Sequence, residues 1–426
     1  MLRGTVRQVA AVGLSVGLLL TACGRDADTT ASPEAARTIE AGPATGTVTV
    51  WAQGAEAEGL PALLEEFESA NPDVTVEVTA IPWDAAHSKY QTAIAGGTTP
   101  DVAQMGTTWM GDFSDAFDPT PEQIDTSAFF PGSVDSTEVD GTSYGVPWYV
   151  DTQVVFYRSD LAAEAGYTTF PTSWDDFKAM AAAMQTEAGA EYGIQLPPGG
   201  ADSLQQAALN FVWSNGADLM NEEGTEWTLD TPEMVEALEY YQSFFTDGIA
   251  DANLSTAAGA AESAFVSGEA PMLIGGPATM GELEQAGGAE FVDQYSVATL
   301  PTQESATSFV GGSNMVVFKE SENHDAAWKL IRWLSQPEVQ VRWYEATGVL
   351  PAAQSAWRNP SLAGDEKLAV FGEQLEDTNS PPSVPTWTQV SAAGDTQLEQ
   401  IVKADKEPAE AMQELQATAD SLGLGS

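Results

Sequence analysis

Two histidines, one cysteine and 63 carboxylates are the reactive side chains from which this chain would have to build a catalytic centre. His87 and His324 each fall in a polar, helix-like stretch and read as surface residues. No H-E-x-x-H, G-x-S-x-G or phosphate-loop pattern occurs, so metalloprotease, serine-hydrolase and nucleotide chemistry have no foothold. Gly311-Gly312-Ser313 is too short a signal to mark a nucleophile. Carboxylate pairs suited to glycoside hydrolysis can be drawn from 63 acids almost anywhere, and that abundance makes them uninformative. With no calcium-loop spacing either, neither a metal nor a cofactor is expected.

The tryptophans say more. There are 12, and Trp51, Trp109, Trp148, Trp213 and Trp387 fall at expected loop or strand ends. A sugar presents flat patches of C–H bonds edged by hydroxyls. Proteins grip it by stacking an indole on the patch and aiming carboxylates or amides at the hydroxyls. Each indole taken singly could equally be core.

The elements that must hold these residues alternate. Thr47–Trp51 reads as a strand, and Leu60, Leu63, Leu64 and Phe67 recur at helical spacing. After Asn71-Pro72-Asp73, Val74, Val76 and Val78 alternate as a second strand; strand, helix, strand within about thirty residues implies a parallel sheet. Residues 85–95 read as helix, stopping at Gly96-Gly97, and 101–105 as a short strand. Ser173-Trp174-Asp175-Asp176 and Thr231-Pro232-Glu233 open further helices, 323–334 forms another, and 396–422 is mostly helical. The class is α/β. Some 380 residues follow position 47, more than one core usually serves, so two lobes are expected.

The segments taken together resemble the solute-binding lipoproteins of carbohydrate ABC importers, the extracellular solute-binding family that includes maltose- and trehalose/maltose-binding proteins. The residues that carry the resemblance are VTVWAQG at 48–54, TAIAGGTTPDVAQ at 92–104, GTSYGVPWYVDTQVVFYRSD at 141–160, PTSWDDF at 171–177, FVSGEAPMLIGGP at 265–277, FVGGSN at 309–314, QPE at 336–338 and TGVLPA at 347–352. The resemblance implies a two-lobed periplasmic-binding-protein-like fold of type II, with the ligand in a cleft between lobes joined by crossing strands near 154–157 and 308–314. The first lobe would comprise 47–155 and 310–350, the second 156–309 and 351–426. Expected ligand contacts are Glu56, Asp101, Gln104, Trp109, Trp148, Asp151, Trp213, Gly276, Gly312, Ser313 and Trp387. Asp101 and Gln104 are placed at the ligand end of a strand, although Asp101 could instead serve a turn. Gly312 and Ser313 could act through close backbone approach at a crossing as readily as through contact. Two features depart from the family pattern: Gly276-Pro277 is followed by Ala278 rather than Trp, and Pro351-Ala352-Ala353-Gln354 lacks the basic residue that many relatives carry shortly after this segment.

The N-terminus carries an address. Arg3 and Arg7 precede an apolar run from Val9 to Leu20, and Leu20-Thr21-Ala22-Cys23 resembles a lipobox. Residues 1–22 read as a signal peptide, Cys23 as the lipidated residue and 23–46 as a flexible tether. A single cysteine leaves no disulfide framework. The formal charge of −48 argues against nucleic acid and against electrostatic docking on anionic lipid. The function expected is capture of a mono- or oligosaccharide, for example an α-glucoside such as trehalose or maltose, outside the cytoplasm. The protein would be a lipid-anchored monomer delivering ligand to transmembrane permease subunits with their ATPase. A secreted glycoside hydrolase and a polysaccharide-binding surface lipoprotein are the alternatives.

Overall fold

The computed structural model describes residues 36–425 except 201, 256 and 258. The expected signal segment, Cys23 and the first part of the tether lie outside the described residues.

The chain opens as the sequence pattern requires: β1 (Gly46–Gln53), α1 (Gly54–Ala70), β2 (Val74–Ile81), α2 (Trp83–Gly96) and β3 (Val102–Gly106). The period-two alternation of β1 turns Val48, Val50 and Ala52 fully into the core. β1 pairs parallel with β2 on one side and β3 on the other, so the C-terminal ends of all three strands share one edge. The longer elements that follow are β4 (Val146–Thr152), β5 (Val154–Arg158), α3 (Trp174–Thr186), α4 (Pro232–Thr246), β6 (Met272–Gly275), α5 (Ala278–Gly287), β7 (Tyr295–Ala298) and β8 (Ser308–Val317). After them come α6 (His324–Leu334), α7 (Pro337–Thr347), β9 (Leu350–Pro351), α8 (Glu366–Gln374), β10 (Thr378–Asn379), α9 (Trp387–Lys403) and α10 (Pro408–Leu422).

Two sheets result. One has the order β9-β4-β8-β3-β1-β2, with β10 on the start of β8; the other is β6-β5-β7. This is the two-lobed α/β architecture. One residue, Gln153, separates β4 in the first sheet from β5 in the second. It is held on all sides: its amide donates to Gln206 Oε1 at 2.7 Å, its side-chain oxygen accepts from Asn210 at 2.6 Å, and its carbonyl accepts from Ser308 Oγ at 2.9 Å. Ser308 begins the strand that returns to the first sheet, so a buried polar network ties both crossings to the helical segment 204–214.

Local chemistry explains the boundaries. Ser173 caps α3 by accepting from the Asp176 N–H, and Thr231 caps α4 in front of Pro232. Gly312, at φ +116°, lies flush against the Tyr149 backbone, where any β-carbon would strike the Tyr149 carbonyl. The C-terminal region differs from the expectation of one stretch from 396. Its first helix begins at Trp387, and a break at Asp405 (φ +50°) and Pro408 separates it from the second.

The expected tether needs correction over 36–46. Ile39 and Ala44 are buried, and Arg37 pairs with Asp118 at 3.1 Å. A weakly periodic polar segment gains order by tucking two small apolar side chains against the first sheet, which composition does not reveal. No helix among the described residues is long and apolar enough to cross a membrane.

Candidate functional site

A parallel sheet offers its ligand edge where the strands end, because the turns that follow are free to vary while the strands are not. The edge formed by β1, β2 and β3 is followed by Gly54–Glu56, by Trp83 and by Thr107–Trp109. Trp83 is the large indole most open to solvent, at 38 % exposure, and it packs edge-on against half-buried Trp109 at 5.7 Å. Gly54 fits between Trp83 and the Glu56 carboxylate, where a β-carbon would come 2.8 Å from the Trp83 ring nitrogen and 3.0 Å from Glu56 Oε2. Glu56, Trp83 and Trp109 thus stand side by side just past the ends of β1, β2 and β3.

The floor comes from the crossing strands. Tyr149 and Asp151 alternate on β4, and Ser313 lies beside Tyr149 on β8. Ser313 Oγ and Gln104 Nε2 both reach the Tyr149 hydroxyl, at 3.2 and 3.5 Å, and Gln104 donates to Ser313 at 3.2 Å. Burial holds the Tyr149 hydroxyl far above its ordinary value, and the charges of Glu56 and Asp151 add to the effect. Asp151 is open to the cleft, yet both lobes surround it. Loss of bulk water lifts its carboxyl to about 6, against the pull of the Thr152 N–H. On the other side a β-carbon at Gly276 would stand 2.7 Å from Asp151 Oδ1, so only glycine lets this segment of the second lobe approach.

Two cavities open along this edge. One, of about 500 Å³, runs from Glu56, Tyr149 and Asp151 to Pro277, Ala278 and Met280. The other, of about 410 Å³, runs from Trp109 to Asp202, Gln205, Ser391 and Asp395. Both fall in the range of small-molecule sites. Asp395 accepts from the Asp202 and Leu204 N–H groups at 2.8 Å each; burial nevertheless raises its carboxyl. Indole faces, acceptor oxygens and an amide make a surface for hydroxyl-rich ligands. No histidine, lysine, arginine or cysteine lines either cavity.

The structure brings together Glu56, Gln104, Trp109, Asp151, Gly276 and Ser313 of the expected contacts, sets Trp387 in the lining of the same cavity as Trp109, and places Asp101, Trp148, Trp213 and Gly312 elsewhere. Asp101 begins β3 rather than ending it, and its carboxylate accepts from Thr49 N and Oγ1 at 2.8 Å and from Ser321 at 2.6 Å. It fastens the opposite edge of the sheet. Trp148 faces the other way from Tyr149, since neighbours on a strand alternate, and stacks on Trp343 at 5.1 Å in the core. Trp213 lies within a buried helix, 209–214, not at a strand end. Trp387 starts α9 beneath the smaller cavity but is 1 % exposed, packed near Trp227 with its ring N–H on Gln205 at 3.3 Å. Gly312 serves backbone approach. His324 is not a surface residue either: its side chain is largely buried 3.7 Å from Asp118, and burial lowers its pKa. His87 pairs with Asp112 at 2.7 Å behind Trp109. Trp83 and Tyr149 join the site without being among the contacts expected from sequence. Trp83 was within reach, because Ile81-Pro82-Trp83 ends β2 as Gly106–Trp109 ends β3.

A family model of bacterial extracellular solute-binding proteins matches residues 51–341, more than half of the chain. The sugar-binding protein MalE of Xanthomonas citri superposes with a TM-score of 0.82 at 34% identity, covering 88% of this chain and 97% of that one. The maltotriose-binding protein of Pyrococcus abyssi is 26% identical over 384 residues, 87% of this chain and 80% of its own. The diacetylchitobiose-binding protein DasA of Streptomyces coelicolor is 25% identical over 437 residues, 96% of each.

Proposed function

The chain belongs to the bacterial extracellular solute-binding protein family, and from that premise we propose that it captures a mono- or oligosaccharide between its lobes and delivers it to an ABC permease. Proteins of this family bind their ligands rather than transform them, and the chain is not an enzyme. The observation that carries the sugar reading is the facing pair of walls. Trp83 and Trp109 offer stacking faces, and Glu56, Asp151, Gln104 and Ser313 offer hydroxyl partners across the crossing strands. Relatives that bind maltotriose and diacetylchitobiose agree with a glycan ligand, and α-glucosides such as trehalose or maltose are the first to try.

Capture follows from geometry. A ring laid between the indoles and the Gly276–Ala278 turn, which already stands against Asp151, gains contacts to both sides as the lobes close on it. Closure is driven by contacts made in the closed state alone. The lobes proposed are 47–155 with 310–350 and 156–309 with 351–426, hinged about Gln153 and Ser308. Leu20-Thr21-Ala22-Cys23 supports a lipid anchor at Cys23 outside the cytoplasm. A thermal-shift screen over a sugar panel tests the reading, since a ligand at a hundred times its Kd stabilises by about 2.7 kcal/mol. A sugar that raises the melting temperature should also shrink the radius of gyration in small-angle scattering. A panel without any shift refutes the proposal.

A further inference from the structure

A chain of hydrogen bonds runs through the floor of the site, and its direction is fixed at the buried end. The Gln53 main-chain N–H can only donate, so the side-chain atom 2.9 Å from it is the Gln104 oxygen. That leaves the Gln104 amide nitrogen at the far end, with protons to give and no lone pair to offer. It donates to Ser313 Oγ at 3.2 Å and to the Tyr149 hydroxyl at 3.5 Å. Ser313 in turn donates its own proton to Tyr149 at 3.2 Å. The Tyr149 oxygen thus accepts twice, and its proton has one direction left. The Glu56 carboxylate takes that hydrogen bond. Burial above all, then the charge of Glu56 and this bond, hold the proton on the phenol. Gln53, Gln104 and Ser313 are fully buried, whereas Tyr149 and Glu56 line the cavity of about 500 Å³. The links come from β1, β3, β8 and β4, so the sheet itself aims a carboxylate that stands in the first turn of α1.

We infer that Gln104 and Ser313 act on a sugar at one remove, as positioning residues of a one-way chain that ends at Glu56. With the Tyr149 proton committed to Glu56, the groups beside it, Glu56 and Asp151, offer only acceptors at neutral pH. This part of the cavity therefore selects a sugar hydroxyl that donates, and it discriminates against a substituent that can only accept. The selection rests on the carbohydrate reading above; the chain itself does not.

Neutron diffraction from deuterium-exchanged crystals of the sugar-free protein tests the chain by itself. The Ser313 deuteron should point to Tyr149 and the Tyr149 deuteron to Glu56. A Tyr149 deuteron turned toward Ser313 or Gln104 overturns the inference. Calorimetric titration with the sugars of the thermal-shift panel, glucose, maltose and trehalose among them, reads the consequence. Tyr149→Phe and Ser313→Ala should each lower affinity by about threefold to tenfold, and the double variant no further than Tyr149→Phe alone. Losses that add show that Ser313 touches the sugar directly and overturn its positioning role; melting curves of the three variants separate lost fold from lost affinity. Fluorine keeps a weak acceptor but has no proton. Among monodeoxy and monodeoxyfluoro forms of the sugar that binds, at least one position should therefore lose about tenfold in both. Fluoro forms that keep the parent's affinity wherever the deoxy forms lose it overturn the selection. If no sugar of the panel binds, the carbohydrate reading fails, and the neutron map still decides the chain.

Discussion

Asp101 and Asp151 belong to the same sheet and are both hemmed in by protein, yet their surroundings are opposite. Around Asp101, burial alone would raise the carboxyl, but hydrogen bonds from Ser321, Thr49 and Asn323 more than offset it and hold it below its ordinary value. Around Asp151 the same loss of water is answered only by the Thr152 N–H, and the carboxyl rises to about 6. One acid is fully employed by the fold. The other keeps its acceptor capacity for something that arrives from outside. The tryptophans divide in the same way: Trp148 and Trp387 are spent on Trp343 and Trp227 in the interior, whereas Trp83 stays exposed at the strand-end edge beside Trp109. A carboxyl raised in this way, with little compensation from the fold and its side chain open to the cleft, is a marker of a site.

The largest effect expected is on the buried indoles. Trp148→Ala and Trp387→Ala should each cost about 3–5 kcal/mol of stability, read as a lowered apo melting temperature, with affinity per folded molecule intact. If Trp387→Ala instead melts like the wild type and loses affinity, that indole belongs with Trp83 and the division fails. Next comes Asp101→Ala. It strands the Thr49, Ser321 and Asn323 donors and should cost about 3 kcal/mol, again without altering sugar affinity in a calorimetric titration.

Asp151→Ala reverses the pattern. Affinity should fall by about ten- to a hundredfold while apo stability at neutral pH holds or rises, because a poorly hydrated charge has been removed. The two acids also give pH dependences of opposite sign. Asp101, lowered in the folded state, contributes stability that is present above its unfolded value near 3.8 and lost as pH falls past it. Asp151, raised to about 6, contributes stability that is present below 3.8 and lost as pH rises through about 6. Apo Asp151→Asn should therefore be more stable than wild type at pH 7, with the difference closing toward pH 4 in melting curves. Sugar affinity of the wild type should weaken as pH drops through about 6, where Asp151 takes up a proton beside Glu56 and Tyr149. The smallest effect is Trp83→Ala: about three- to tenfold in affinity, and no loss of stability, since the indole is already open to water.

Much of this was legible in the chain. The βαβ opening, the caps at Ser173 and Thr231 and the segment motifs fixed the class, because they are local or nearly so. The divide between Asp101 and Asp151 was not legible, since it depends on Ser321 and Asn323, some 220 positions away from Asp101. Trp148 and Tyr149 are adjacent in sequence and face opposite sides, and deciding which faced the cleft needed the position of β8. Trp83 differs: Pro82 and the short turn at the end of β2 mark its strand-end position locally.

The most direct test is a crystal structure of the protein grown with a sugar chosen by the thermal-shift screen. The ring should lie against the faces of Trp83 and Trp109, with a hydroxyl or amine within hydrogen-bonding distance of Asp151, and with the Gly276–Ala278 turn drawn over it. A sugar bound tightly on an outer face of either lobe, with the cleft containing only water, would contradict the account.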